Sequence, residues 1–550
     1  MKKNLTVWNL FSVVILAAFA LFIMYPIFLI LYRSVIHGDT GALTLQNFAH
    51  FFAKKFYWGT MVNSLKVTVV STILSAALGL PLAYLMRSVK IKGSSFLNIL
   101  IVISYLSPPF IGAYAWIQML GRQGVITQFL NDTFGLHYGG VYGFAGIVLV
   151  FTLQSFPLVY IYVSGALKNL DNSLNEAAES LGCSRMGRIW KIIVPLVMPT
   201  LLASSMLVFM RVFADFGTPM LIGEGYKTLP VLIYNQFMGE VSGDDGFAAA
   251  ICCIVIGLTI VMFFVQRFLA GRNTYAMTAL KPMAAESLSG LRNILAHLAV
   301  YMVVGLAILP QFVVVYTSFL ATNGGQVFTG GFALQSYDAT LFAKDNDVIW
   351  HTYFLGLCAI AAVLVLGVLI AYLSVRKRNT LNSILDVMTM FPFIIPGSVL
   401  GIAFVFAFNK SPIILTGTAL IMIISFAVRR MPYTVRSSTA ILGNISPSIE
   451  EAAISLGASD MTTFRKITVP MMMPGVLSGA IMSWVTIISE LSSSIILYTN
   501  STQTLTVSIY TEVIRGNYGN ASAYATILTV TSILSLLLFY KVTGRRDVSV

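Results

Sequence analysis

Long apolar runs separated by short polar connections dominate the pattern of this chain. Twelve runs are long enough to cross about 30 Å of hydrocarbon, which takes roughly 20 helical residues. The pattern therefore predicts an all-α polytopic membrane protein with twelve transmembrane helices. The predicted spans lie near residues 8–32, 61–86, 96–118, 142–163, 192–214 and 248–270, and then near 294–318, 350–374, 384–408, 412–428, 469–489 and 522–540.

Composition agrees with a chain that is dissolved in a bilayer. Hydrophobic residues make up 57% of the sequence and charged residues only 10%, whereas soluble domains average about 25% charged residues. Mean hydropathy is +0.84. The first apolar run follows Lys2 and Lys3 as a signal peptide would, but it is long and lacks a small-residue cleavage site, so we interpret it as a retained helix.

Lysine and arginine residues are concentrated in alternate connections. Of the 34, 24 fall on the side that includes the N-terminus. Because cationic loops resist translocation, this distribution predicts that both termini lie in the cytoplasm. The group of 24 includes Arg429 and Arg430, which the pattern places in the connection after the tenth span. Topology thus explains the net charge of +13.

No segment has the features of a nucleic-acid-binding module, so we expect no nucleic-acid partner. The four cysteines show no metal or redox spacing, and the five histidines are scattered, so we expect no metal site, no cofactor and no catalytic residues. The sequence also lacks a P-loop, which requires Gly, four residues, Gly-Lys and a hydroxyl residue. We therefore expect that the chain is not an enzyme and that any ATP hydrolysis takes place on a separate subunit.

A polar segment is repeated after 275 residues. The first copy reads Glu-Ala-Ala-Glu-Ser-Leu-Gly at 176–182 and continues to Pro195, and the second reads Glu-Ala-Ala-Ile-Ser-Leu-Gly at 451–457 and continues to Pro470. Both copies lie on the inner side, between the fourth and fifth predicted span of their half. The repeat predicts two homologous six-helix halves, residues 1–275 and 276–550.

Each copy predicts a helix-turn-helix on the cytoplasmic surface. Glu-Ala-Ala followed by Leu favours a short helix, and the glycine that follows permits the chain to reverse its direction before a second helix enters the membrane. Such a compact projection is suited to contact with a partner.

The spacing in both copies resembles the signature loop of permeases in binding-protein-dependent ABC importers. That signature is Glu-Ala-Ala, three residues, Gly, nine residues, Ile, one residue, a hydrophobic residue and Pro; both copies have Val where Leu is commoner. The resemblance implies the type I ABC importer permease fold, with coupling loops 176–195 and 451–470 that each contact an ATPase subunit. The implied coupling residues are Glu176, Ala177, Ala178, Gly182 and Pro195, with Glu451, Ala452, Ala453, Gly457 and Pro470.

Further segments resemble the fused permeases of the ferric iron type, which also carry two halves of six spans. These segments lie at 107–116, 415–420 and 429–433. The resemblance implies a permease that moves ferric iron from an external solute-binding protein into the cytoplasm by alternating access, driven by two copies of a cytoplasmic ATP-binding subunit. It also implies a location in the bacterial cytoplasmic (inner) membrane. Permeases for 2-aminoethylphosphonate, polyamines and thiosulfate or sulfate share the motif and remain alternatives.

An ion-coupled secondary transporter is the alternative from a different class. Such a protein would typically bury carboxylates in the middle of its spans, and the predicted spans lack acidic residues in their cores. Instead, Asp215 and Glu490 follow the fifth and eleventh spans and align under the 275-residue offset. We hypothesise that they line the outer mouth of the pore, together with Arg211; the alternative is that they mark where water begins. The outer loops 223–247 and 500–518 are candidates for contact with the binding protein, or for caps packed on their own half.

Overall fold

The computed structural model describes residues 7–36, 41–135, 137–239, 245–271, 285–323, 327–342 and 347–543, and most of these residues are helical. Two five-residue π-helical stretches, Ala20–Met24 and Ile189–Ile193, join α1 to α2 and α10 to α11. The helices up to the middle of the chain are α1 (Val7–Phe19), α2 (Tyr25–Ser34), α3 (Gln46–Ala53), α4 (Lys55–Ser88), α5 (Ser94–Leu106), α6 (Pro109–Leu120), α7 (Val125–Phe134), α8 (Gly143–Lys168), α9 (Ser173–Ser180), α10 (Arg185–Arg188), α11 (Val194–Ala214), α12 (Gly217–Ile222), α13 (Leu229–Met238) and α14 (Asp245–Gly271).

The remainder of the chain follows a similar order, without a counterpart of α7 and with an antiparallel hairpin of β1 (Leu320–Asn323) and β2 (Val327–Phe332). A π-helical stretch, Phe464–Thr468, joins α23 to α24, and a 3₁₀ turn spans Asn500–Thr502. The helices are α15 (Gly290–Ser318), α16 (Gln335–Leu341), α17 (Val348–Arg376), α18 (Thr380–Met388), α19 (Phe391–Ile394), α20 (Gly397–Phe408), α21 (Ala419–Asn444), α22 (Ser448–Ser455), α23 (Asp460–Thr463), α24 (Val469–Ile488), α25 (Ser494–Leu497), α26 (Leu505–Arg515) and α27 (Tyr518–Thr543).

Among the described residues, 9 helical stretches are long and apolar enough to cross a membrane, and two bent helix pairs raise the number to 11. The remaining predicted span, near 412–428, overlaps α21. The prediction of an all-α polytopic membrane protein is therefore confirmed. The nine stretches are Val7–Ser34, Lys55–Ser88, Gly143–Lys168, Arg185–Ala214, Asp245–Gln266, Gly290–Ser318, Val348–Arg376, Asp460–Ile488 and Tyr518–Leu538.

Two of the predicted spans are broken by a sharp bend. The helices on either side of Pro108 meet at 101°, and those on either side of Pro396 meet at 110°. Each proline is the N-cap of the second helix, and the residue before it, Ser107 or Ile395, is extended. Proline has no N–H and pushes its predecessor out of the helical region. The structure thus adds a bend to each of these two predicted spans.

Helix α21 corrects the predicted connection after the tenth span. The sequence pattern ends that span at residue 428, but α21 continues to Asn444 and carries Arg429 and Arg430 in its middle. These two arginines therefore lie in a helix and not in a loop. Without them, 22 of the 24 lysines and arginines assigned to the inner side remain, so the cationic bias persists.

The chain forms two compact units that interleave in sequence. One, the α4 unit, contains Lys54–Leu232 and Gly257–Leu334; the other, the α17 unit, contains Met1–Ala53, Ile233–Ile256 and Gln335–Arg545. The first long helix of each predicted half thus belongs to the unit built mainly from the other half. The predicted boundary at 275/276 lies outside the described residues and remains a prediction about the repeat.

The core of the α4 unit is formed where α4, α8 and α11 pack together, with α15 beside them. Gly79 permits a close crossing of α4 and α8, because a Cβ at this position would lie 2.7 Å from the Cβ of Val159. Small residues allow close helix contact in membranes, where the hydrophobic effect does not drive helices together. Buried residues around this crossing include Val67, Leu82, Val150, Phe156 and Val163.

The α17 unit repeats this arrangement with α17, α21 and α24. Gly367 of α17 takes the place of Gly79, since a Cβ there would lie 2.9 Å from the Cγ2 of Thr434 on α21. The two crossings show that the repeat extends to the packing of the helices.

We expect Gly79→Ala to destabilise the protein by about 1–3 kcal/mol, because the added methyl group would overlap the β-branched Val159 in a packed interface. The matched control is Gly165→Ala in α8, where a Cβ has nothing within 4 Å and where alanine favours the helix. Thermal unfolding of the purified protein in detergent provides the measurement. Equal melting temperatures for the two variants would contradict the close crossing.

Candidate functional site

The first signature loop forms the predicted helix-turn-helix. Helix α9 ends at Ser180, the chain turns through Gly182 at φ +77°, and α10 begins at Arg185. A positive φ strains any residue with a Cβ, which explains the glycine. The hydroxyl of Ser184 accepts a hydrogen bond from the N–H of Gly187 at 3.2 Å and caps α10.

The second signature loop has the same construction. Helix α22 ends at Ser455, the chain turns through Gly457 at φ +91°, and α23 begins at Asp460. Its cap is Ser459, which accepts a hydrogen bond from the N–H of Thr462 at 3.2 Å. Turn, cap and helix boundaries therefore correspond in the two copies.

Most of the predicted coupling residues lie on the surface of these loops. In each copy the glutamate, the first alanine, the glycine and the proline are exposed; Ala178 is half-buried and Ala453 is buried against the protein. The turn also exposes a leucine that the sequence pattern did not single out: Leu181 is 87% and Leu456 is 90% accessible. The exposed leucine therefore recurs at the equivalent turn position of both copies.

The first loop is held by contacts near the surface. Arg188 forms an ion pair with Glu179 at 2.5 Å, within the loop. Arg185 approaches Glu286 at 3.7 Å, and the backbone of Glu286 pairs with Ser88 and Lys90 after α4. The part of the mid-chain connection that the structure describes therefore lies against the first loop.

The second loop is held by a buried ion pair. Arg376, at the end of α17, donates to Glu450 at 2.9 Å and to the carbonyl of Ile445 at 2.6 Å. The two charged side chains are only 10% and 12% exposed. A second and more exposed pair joins Lys377 to Asp460 at 2.9 Å.

An aromatic cluster connects the N-terminal helix α1 to the second loop. The ring of Trp8 lies 5.2 Å from Phe464 and 4.8 Å from Tyr372, and Tyr372 lies 4.6 Å from Phe464. Phe464 follows α23 directly, so α1 packs on the helix that leads out of the second loop.

A carboxylate follows each of the long helices α11 and α24 and accepts a hydrogen bond from a backbone N–H three residues later. Asp215 accepts from the N–H of Thr218 at 2.9 Å, and Glu490 accepts from the N–H of Ser493 at 3.2 Å. Hydroxyls on α4 and α17 accept from the first residues of α13 and α26: Ser64 accepts from Leu229 N–H and Thr352 from Leu505 N–H, both at 2.7 Å. The first residue of α13 is thereby joined to α4, and the first residue of α26 to α17.

The three residues predicted at the pore mouth have different surroundings. Asp215 lines a small cavity in the α4 unit together with Ser64 and Thr228. Arg211 stacks on the ring of Tyr105 at 4.7 Å. Glu490 is 3% exposed and forms ion pairs with Arg429 and Arg430, a contact that the sequence analysis missed. The role of Arg211, Asp215 and Glu490 in a pore remains a proposal.

A family model described as the inner membrane component of binding-protein-dependent transport systems matches the chain twice, over residues 75–275 and 363–546. The ferric transport system permease protein FbpB of Actinobacillus pleuropneumoniae is 30% identical over 546 residues, which cover 97% of this chain and 78% of that protein. The putative ferric transport system permease protein FbpB 1 of Haemophilus influenzae is 30% identical over 505 residues, covering 90% and 78%. The putative 2-aminoethylphosphonate transport system permease protein PhnU of Salmonella choleraesuis is 26% identical over 270 residues, covering 48% and 92%.

The two family matches together cover well over half of the chain. They include both signature loops and the helices that flank them, which the structure describes as two equivalent arrangements. The chain therefore belongs to the family of inner membrane components of binding-protein-dependent transport systems, and it is a multi-pass permease subunit of an ABC importer.

Proposed function

We propose that this permease imports ferric iron. The observation that carries the proposal is the similarity to two ferric transport permeases along nearly the whole chain, at 30% identity. An external binding protein would deliver the iron, and a separate ATPase subunit would supply the energy. Because the chain contains two signature loops, two copies of the ATPase subunit would bind it.

The orientation follows from the same assignment. Loops that bind a cytoplasmic ATPase must face the cytoplasm, and the cationic bias of the connections agrees with this side. We therefore propose that both termini lie in the cytoplasm, and that α12, α13, α25 and α26 lie toward the opposite side of the membrane.

Transport would follow alternating access. ATP-dependent closure of the ATPase subunits moves the two loops, and the helices that begin at these loops carry the movement to the carboxylate-capped helix ends. A ligand can shift such an equilibrium only by its differential affinity for the two states. The loops must therefore contact the ATPase differently with and without ATP.

A second candidate substrate is 2-aminoethylphosphonate, which appears in the name of a relative that is 26% identical over 270 residues. The permease architecture would be the same, and only the solute would differ. Both candidates are separate from an ion-coupled transporter, which would need no ATPase.

The proposed substrate is tested by uptake of radiolabelled ferric iron in cells with and without the gene for this chain. We expect loss of the chain to abolish ATP-dependent iron uptake, and plasmid-borne permease to restore it. A parallel assay with labelled 2-aminoethylphosphonate and an arm depleted of ATP are the controls. If loss of the chain abolished only phosphonate uptake, the substrate would be 2-aminoethylphosphonate and not ferric iron. Solute uptake that survives ATP depletion would contradict an ATP-driven importer.

We propose that Leu181 and Leu456 are anchors that insert into the ATPase subunits. Both side chains are almost fully exposed, so Leu181→Asp and Leu456→Asp leave the fold of the permease unchanged. Loss of a central apolar anchor typically costs about 2 kcal/mol or more in binding, which corresponds to roughly a 30-fold weaker complex. Co-purification of the ATPase with the permease should fall accordingly.

The matched control for this experiment is Leu43→Asp, because Leu43 is 80% exposed and lies outside both loops. The control should retain the ATPase. Full retention of the ATPase by the variant that carries both loop substitutions would contradict docking at these leucines.

We further propose that the two loops move differently, because only the second is held by a buried ion pair among the residues that the structure describes. Removing one partner of such a pair leaves an uncompensated charge, so Glu450→Gln should lower the free energy of unfolding by about 3–5 kcal/mol. The exposed Lys377 and Asp460 provide the comparison: Lys377→Ala should cost less than about 1 kcal/mol. Thermal unfolding measures both, and equal losses would contradict a special role for the buried pair.

A further inference from the structure

Two arginines lie in the middle of α21, deep within the α17 unit. Arg429 is 10 residues from the first residue of this helix, or about 15 Å at the helical rise of 1.5 Å per residue. The side chains are 12% and 17% exposed. Ionisable residues at such a depth in a transmembrane helix are costly and usually mark a path for a solute or ion.

The positive charge of the pair is only partly neutralised. Arg429 donates through Nη1 to one oxygen of Glu490, and Arg430 donates through Nη2 to the other. The same carboxylate also accepts hydrogen bonds from the N–H of Ser493 at 3.2 Å and from its hydroxyl at 3.4 Å. Two guanidinium groups thus share one carboxylate whose oxygens are both in use, and a net positive charge remains.

Part of the donor capacity of the two arginines is unused. Within the part of the chain that the structure describes, the Nε atoms of Arg429 and Arg430 are buried without an acceptor. The guanidinium groups donate side-chain hydrogen bonds to Glu490 and to no other described residue. A guanidinium group has five N–H donors arranged to bind the oxygens of a carboxylate or phosphate in pairs.

The N-terminus of α20, the second helix of a bent pair, also contributes positive potential near the two arginines. Helix α20 begins at Gly397, directly after the 110° bend. A Cβ at this position would collide with Nη1 of Arg429, so the glycine lets the helix end approach the guanidinium group. The N-terminus of a helix carries partial positive charge and favours anions, so its presence next to two arginines adds to the positive potential.

The equivalent place in the α4 unit has the same construction without the cations. The 275-residue offset aligns Arg429 with Gln154, Arg430 with Ser155 and Glu490 with Asp215. Gln154 is buried there against Gly112, whose Cβ would collide with its side-chain amide. The fold thus accommodates a neutral pair at this position, and the arginines are not needed to build it.

We propose that Arg429, Arg430 and the N-terminus of α20 form a transit site for an oxyanion, with Glu490 as the counter-ion that the oxyanion displaces. The proposal rests on the import function above and specifies the chemical form of its solute. Ferric iron is a hard cation with a preference for oxygen ligands, and its complexes with phosphate-type ligands present such oxygens. A positively charged centre repels the bare cation and attracts the oxyanion part of a complex. A free phosphonate would bind by the same chemistry.

The test uses the complete importer, with its ATPase and binding protein, and a variant that transplants the first repeat into the second: Arg429→Gln, Arg430→Ser and Glu490→Asp. Each new side chain is then of the type that the α4 unit accommodates at the aligned position, Gln154, Ser155 or Asp215. The matched control is Arg436→Gln on the same helix, where the arginine pairs with Asp386 and is 46% exposed.

Inorganic phosphate is the first probe. We expect phosphate to raise the melting temperature of the wild-type complex in a saturable manner, beyond an equal ionic strength of chloride, and to do so in Arg436→Gln. The transplanted variant should lose this stabilisation, and its solute uptake into proteoliposomes should fall at least tenfold. Equal stabilisation and equal uptake in wild type and transplanted variant would overturn the proposal, as would a wild-type complex that responds to phosphate and chloride alike.

Double labelling separates the two sources of the oxyanion. Iron and phosphate that enter at a constant ratio indicate that the solute is a metal complex. Entry of phosphonate without iron indicates that the solute is a free oxyanion. In both cases, uptake that depends on the arginine pair supports the site. Iron uptake that is unchanged in the transplanted variant would refute the site and leave iron import standing. Phosphonate uptake that depends on the arginines, without any iron uptake, would refute iron import and leave the site standing.

Discussion

Backbone N–H and C=O groups that lie at membrane depth must find their partners within the protein, because hydrocarbon offers none. This constraint governs the places where the helices of this permease break. At the start of α13 and α26, hydroxyls of Ser64 and Thr352 accept the free N–H groups. Earlier in the same two segments, the carboxylates of Asp215 and Glu490 accept from the N–H groups of Thr218 and Ser493. These side chains replace hydrogen bonds that a continuous helix would make within its own backbone.

The repeat preserves these backbone solutions and varies the charges around them. A carboxylate ends the long helix in both units, and a glycine in the neighbouring broken helix leaves room for the side chain at position 154 or 429. This space holds the neutral amide of Gln154 in the α4 unit and the guanidinium group of Arg429 in the α17 unit. Similar asymmetry is present at the loops, where Glu450 is anchored by Arg376 while the equivalent Asn175 carries no charge. Repeated geometry with changed charge shows that the backbone arrangement does not require the same charges in both units.

Hydropathy predicted the helical spans well, since an apolar run of about 20 residues matches the thickness of the hydrocarbon core. It could not show the bends at Pro108 and Pro396, because the apolar run continues through them, nor which helices pack together in each unit. The signature loops were predicted by their spacing, although the exposed Leu181 and Leu456 were not singled out. The arginine pair was misplaced because charge was taken as a sign of a loop. The 275-residue offset places both arginines within a span, because it maps the span at 142–163 onto residues 417–438.

The geometry of the helices links the two proposed sites. The stretch Asp460–Ile488 begins in the second loop and ends two residues before Glu490, and its 29 residues span about 43 Å. A packed helix transmits displacement along its axis because the surrounding close-packed interior cannot be compressed. Movement of the loop by the ATPase would therefore act on Glu490, whose carboxylate partly neutralises the arginines and accepts from the N–H of Ser493. One helix would thus connect ATP binding to the charge balance at the transit site and to the short helices beyond it.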